Sequence, residues 1–101
     1  MVDNKLTGDV ENLLYVLANM HNEAEVYNLL QDMFTLREIR EISQRLLVAK
    51  MLNDGSSYSE IEAKTGTSAT TIARVSKCLT QGKGGYINAL GLLESKEKSP
   101  T

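Results

Sequence analysis

Along most of this chain the apolar residues recur at intervals of three and four, and no alternating apolar–polar run lasts beyond a few residues. A helix turns every 3.6 residues, so that spacing lines one helical face, whereas a half-buried strand needs a period of two. The chain is therefore expected to be all-α. Val10, Leu13, Leu14, Leu17 and Met20 make the first face, and Val26, Leu29, Leu30 and Met33 the second. A longer stripe follows in Leu36, Ile39, Ile42, Leu46 and Ala49, widened in its second half by Leu47, Val48, Met51 and Leu52.

The ends of these helices are marked by residues that satisfy unpaired backbone groups. Asn22 with Glu25 reads as an N-cap with a reciprocal acid. Thr35-Leu36-Arg37-Glu38 and Ser57-Tyr58-Ser59-Glu60 are capping boxes, in which hydroxyl and carboxylate each accept a backbone N–H from the other's residue. The long segment opened by Thr35 runs to about Leu52 and stops at Asn53-Asp54-Gly55-Ser56, where Gly55 suits the left-handed position past a helix end. A short helix through Lys64, a tight turn at Thr65-Gly66-Thr67 and a helix opened by Ser68 with Thr71 come next. That last helix should bury Ile72, Val75 and Leu79. Gly82-Lys83-Gly84-Gly85 breaks it, and Tyr86, Ile87, Leu90 and Leu93 indicate a final helix. The expectation is six helices in one domain over residues 1–95, with a polar, frayed tail over 96–101. Stripes this wide on short helices imply that a second subunit covers part of the apolar surface.

Composition excludes several function classes. One Cys cannot make an internal disulfide framework, and with a single His there is little from which to build a zinc cluster or a Cys–His catalytic pair. No metal and no cofactor is expected. No run of 18 apolar residues suggests a membrane span, and no basic start followed by an apolar stretch suggests a leader, so a cytoplasmic protein is expected. Cys78, beside Leu79, reads as a small semi-buried residue, and no neighbouring base would make it a nucleophile. Gly82-Lys83-Gly84-Gly85 lacks the spacing of a phosphate loop. His21, Glu60 and Glu62 have capping, dipole or solvation roles, and Met20, Met33 and Met51 are core fillers. An enzyme is not expected.

A net charge of −2, taken as a sum, disfavours nucleic acid, but the charge is unevenly placed. Residues 1–35 carry one base and six acids, whereas residues 36–85 carry eight bases and five acids. Within the second segment, the 22 residues from Lys64 to Gly85 contain no Asp or Glu and include Lys64, Arg74, Lys77 and Lys83. A polyanion meets a local face rather than the sum.

That acid-free window overlaps residues 57–77, SYSEIEAKTGTSATTIARVSK, which have the requirements of a DNA-binding helix-turn-helix. Ser57 caps the first helix and Ile61 faces inward; Gly66 turns with positive φ, Ser68 caps the second helix, and Ile72 and Val75 pin it from behind. Glu62 must then point away from the helix–helix contact. The outward face of the second helix offers Thr67, Ala69, Thr70, Thr71 and Arg74, small or hydroxyl-bearing residues that let a backbone approach the major groove. Methyl groups can touch a thymine methyl, and hydroxyls and Arg74 can reach bases or phosphates. The N–H groups at the start of the second helix, capped by Ser68, suit a phosphate, with Ser57 also counted among the DNA-binding residues. Lys77 and Lys83 would neutralise phosphates without reading sequence.

These pieces together resemble the Trp repressor superfamily, and more closely its YerC/YecD subfamily of TrpR-like proteins. The resemblance covers about Leu29 to Leu93 and rests on TLREIREISQRLLVAKML, YSEIEAKTGTSATTIARVSK and the GKGGY break, in order and with compatible spacing. It implies an all-helical, intertwined homodimer that regulates transcription by binding double-stranded DNA, as a repressor rather than an activator. The resemblance also implies a ligand site from Thr35, Arg45 and Arg74, allowing one extra residue near Gly55. Two departures argue against tryptophan there. Val75 stands where the repressor has Gly and would crowd a flat indole, and Cys78 stands where it has an assisting Ser. A different small-molecule effector, or none, is expected, and Arg45 could instead pair with Glu38 or Glu41 on its own helix. The reading is a homodimeric regulator bound to a pseudo-palindromic operator, with half-sites about 34 Å apart. The alternative is a protein-interaction adaptor of the same fold.

Overall fold

The computed structural model of the protein describes residues 7–98. They form six helices: α1 (Gly8–Ala18), α2 (Glu23–Met33), α3 (Leu36–Asn53), α4 (Tyr58–Thr65), α5 (Ala69–Gln81) and α6 (Gly85–Lys98). There is no strand among the described residues. None of the described helices is long and apolar enough to cross a membrane. The chain divides into two compact units, residues 1–39 and 40–101.

In the first unit, α1 begins where Thr7 Oγ1 accepts from the Val10 N–H (3.4 Å), with Asp9 and Glu11 favourably placed in the first turn. The helix ends at Ala18, two residues before the apolar spacing suggests. Asn19 takes over there: its backbone N–H and its side-chain amide both donate to the Tyr15 carbonyl. Asn22 caps α2 through Oδ1, which accepts from Glu25 N (3.0 Å). The reciprocal acid reaches one residue further than expected, since Glu25 Oε2 accepts from His21 N rather than from Asn22. Neither α1 nor α2 contains a buried residue. Leu13, Leu14, Leu17, Tyr27 and Met33 are exposed within the chain, whereas Val10, Val26, Leu29 and Leu30 are half-buried.

Thr35 opens α3 through a full capping box, its Oγ1 accepting from Glu38 N at 3.1 Å and Glu38 Oε1 accepting from Thr35 N at 2.8 Å. The α3 stripe splits by position. Leu36 and Ile42 are exposed, whereas Val48 and Ala49 are wholly buried. At its end, Ser56 N donates to Met51 O and Gly55 N to Leu52 O, with Gly55 at φ 93°. That is the Schellman pattern, which leaves few carbonyls unpaired.

The second unit has a small core of Val48, Ala49, Ile61, Ile72, Val75 and Leu90, contributed by α3, α4, α5 and α6. Ile61, Ile72 and Val75 were expected there, and Leu79 packs against them half-buried. Along α6, Leu90 is buried and Tyr86 and Leu93 pack against the core, but Ile87 is exposed, contrary to the face read from spacing. The helix also runs to Lys98, past the start of the expected tail, where Lys98 Nζ pairs with Glu94 at 3.0 Å one turn back. Residues 99–101 of that tail lie outside the described residues.

Candidate nucleic-acid interface

The candidate interface consists of α4, the turn at Gly66 and α5, all in the second unit. Ser57 caps α4 with a complete box: Ser57 Oγ accepts from Glu60 N (3.1 Å) and Glu60 Oε1 accepts from Ser57 N (2.8 Å). The Ser57 N–H holds the Glu60 carboxyl below its ordinary value, because it stabilises the charged form. Gly66 ends α4 at φ 72°, the left-handed region that a Cβ disfavours, and its N–H returns to Glu62 O. Glu62 is exposed, pointing away from the α4–α5 packing as expected.

Thr65 ties the turn together. Its hydroxyl donates to Ile61 O at 2.7 Å and accepts from Thr67 N at 3.1 Å. Ser68 then caps α5, its Oγ accepting from Thr71 N (3.3 Å) and donating to Thr71 Oγ1 (3.2 Å). Ile72 and Val75 fix α5 against the core, which turns the opposite face outward. Ala69, Thr70, Arg74 and Lys77 are exposed on α5, and Lys83 is exposed in the break that follows. Lys64 is exposed as well, so all four cations of the acid-free window reach solvent.

Three expectations need correction. Thr67 does not offer its hydroxyl outward: Oγ1 is buried and makes no hydrogen bond among the described residues. Its N–H is already committed to Thr65, so the turn closes inward at this residue. Thr71 is half-buried rather than open, and its Oγ1 accepts from the Ser68 hydroxyl that caps its own helix. Cys78 is exposed, not semi-buried, because it lies to one side of the inward stripe of Val75 and Leu79 on α5.

Arg45, Thr71, Arg74, Val75, Cys78 and Tyr86 line an open cleft of about 130 Å³. Small-molecule sites usually enclose about 300–1,000 Å³, so this one suits a small group. Arg45 also borders a second cleft of about 250 Å³ with Glu41, Gln44, Thr67, Ser68 and Thr71. Among the described residues neither Arg45 nor Arg74 makes an ion pair, so the expected partnership of Arg45 with Glu38 or Glu41 is not formed. Val75 walls the first cleft, as its bulk requires. Thr35, the third ligand candidate, has its hydroxyl engaged in capping α3. Spacing placed Tyr86 on the final helix but not at a site, and it did not single out Gln44. Tyr86 directly follows the glycine break, which was a usable signal; Gln44 carries none.

Residues 8–94 match the Trp repressor protein family. The chain belongs to that family. It is 37% identical over 95 residues to the uncharacterized protein YerC of Bacillus subtilis strain 168, covering 93% of this chain and 91% of that one. Among solved structures it is similar to a TrpR-like protein from Eubacterium eligens. That match has a TM-score of 0.84 and 39% identity over 91% of this chain and 96% of that one. A candidate Trp repressor from Staphylococcus aureus aligns with a TM-score of 0.82 and 34% identity over 88% and 89% of the two chains. The six-helix, all-α architecture is thus that of TrpR-like proteins. Fold and family together suggest a DNA-binding regulator.

Proposed function

We propose that the protein is a sequence-specific transcriptional regulator, a repressor by family analogy, that binds a pseudo-palindromic operator as a homodimer. The observation that carries this reading is the outward face of α5: small residues and Arg74 on a doubly capped, rigidly backed helix, inside a stretch free of acids. In this reading α4 and α5 are a helix-turn-helix and α5 enters the major groove. Ala69, Thr70 and Arg74 face base edges, while Lys77 and Lys83 contact phosphates. Ser68 serves through the start of α5, where backbone N–H groups favour an anion, whereas the Ser57 N–H is taken by the Glu60 carboxylate, so Ser57 serves by capping α4. Thr67 contributes through its place in the turn and not through its hydroxyl. The homodimer is supported by α1 and α2, neither of which contains a fully buried residue within one chain. A two-fold dimer also matches the symmetry of a palindromic site.

Substitutions on α5 test the division of labour. Thr70→Val should change which sequence is preferred, a good base contact being worth about 1–3 kcal/mol. Lys77→Ala should weaken all duplexes alike and reduce the salt slope by about one. Identical behaviour of the two variants would remove the recognition-helix assignment and favour the adaptor alternative.

A second, compatible reading is control by a small effector. It is favoured by Arg45 and Arg74, which share a cleft with the Tyr86 ring and have no ion-pair partner among the described residues. The narrowness of the cleft and the Val75 wall disfavour tryptophan. A thermal-shift screen of amino acids and purines, tryptophan included, decides this point.

A further inference from the structure

Apolar packing holds the middle of α5 to the core through Ile72 and Val75. Such contacts are non-directional, so they resist separation of the helix better than they resist its rolling. The start of α5 is held differently. The last carbonyls of a helix have no partner within it, and the Thr65 carbonyl is one of these. It accepts the side-chain amide of Gln44, with Nε2 3.1 Å from the oxygen. Gln44 lies 21 positions earlier on α3, one turn before the wholly buried Val48 and Ala49. An amide on a helix anchored in the core through Val48 and Ala49 therefore grips the residue that organises the turn. Thr65 passes that constraint on, since its hydroxyl accepts the Thr67 N–H. The next residue is the cap of α5.

We propose that Gln44 is a positioning residue for the recognition helix: its amide clasp on the Thr65 carbonyl sets how the first turn of α5 is presented. The proposal rests on the DNA-binding reading above. Base edges tolerate little displacement of that turn, whereas phosphates met by long, flexible lysines tolerate much. Loss of the clasp should therefore cost selective binding and spare non-selective binding. One exposed hydrogen bond sets the scale at about a 2- to 12-fold loss of affinity for the selected sequence.

The test compares the full-length wild type with Gln44→Met, which keeps the length of the side chain and removes the donor. Two duplexes of equal length are used, one carrying the sequence selected by the wild type and one scrambled. The expected result is weakened binding to the first only, an unchanged salt slope, and faster hydrogen exchange at the Thr67 amide with no change at Val48. Gln44→Ala should give the same pattern. Equal weakening on both duplexes, unchanged affinity for the selected sequence, or exchange that quickens at Thr67 and Val48 together would overturn the proposal. If the wild type itself fails to separate the duplexes, the DNA reading falls and this proposal with it. That failure is distinguishable, because the clasp would still register as faster Thr67 exchange in Gln44→Met.

Discussion

Leu14 on α1 is 44% exposed within one chain, on a helix that contains no buried residue. If a second copy covers this face, Leu14→Ala should weaken the dimer by an amount that can be worked out. Burying a leucine side chain is worth about 1.5–3 kcal/mol, so covering the exposed fraction adds about 0.7–1.3 kcal/mol. A two-fold interface contains the residue twice, which doubles this to about 1.3–2.6 kcal/mol per dimer, or roughly 10- to 80-fold in the dissociation constant. Alanine favours helix at least as well as leucine, so the helix content of α1 should not suffer. Sedimentation over a concentration series measures the shift, and circular dichroism confirms retained helicity. An unchanged dissociation constant would show that this face is not the interface. A wild type that stays monomeric at every concentration would refute the dimer altogether.

Three further perturbations address local physics. Gly66→Ala meets no neighbouring atom within 4 Å but must hold φ at 72°, so it should cost about 1–2 kcal/mol of stability in thermal melts. Gly66→Asn should cost less; equal loss would point away from backbone conformation. Thr67→Val removes a buried hydroxyl with no hydrogen-bond partner among the described residues, and should leave DNA affinity intact while raising stability by up to about 1 kcal/mol. Reduced DNA affinity would restore that hydroxyl to the interface. The carboxyl of Glu60 lies below its ordinary value of 4.5, so its contribution is present above that value and lost as pH falls through the folded-state value. Thermal midpoints should therefore show wild type losing its advantage over Glu60→Gln in acid; a gap independent of pH would contradict the sign.

What was legible in the sequence was local. The boxes at Thr35 and Ser57, the stops at Gly55 and Gly66 and the cap at Ser68 are each set by residues within a few positions, and each formed as read. The inward residues Ile61, Ile72 and Val75 followed from period alone. Misreadings arose where another segment decides the outcome. Leu36 and Ile42 continue the stripe of Val48 yet remain exposed, because periodicity reports a face and not what covers it. Ile87 fails for the same reason. The inward turn of Thr67 follows from the double use of the Thr65 hydroxyl, and the Gln44 clasp joins residues 21 apart; neither leaves a mark in local spacing.

Charge was the least direct guide. The chain is acidic overall, yet Lys64, Arg74, Lys77 and Lys83 all reach solvent on the segment that carries the candidate interface. Selection of bound sequences from a random duplex pool tests whether that surface reads DNA. The account predicts enrichment of a two-fold symmetric motif with half-site centres about 34 Å apart, one turn of the double helix. A pool that emerges unenriched, even at low salt where phosphate contacts are strongest, would contradict it.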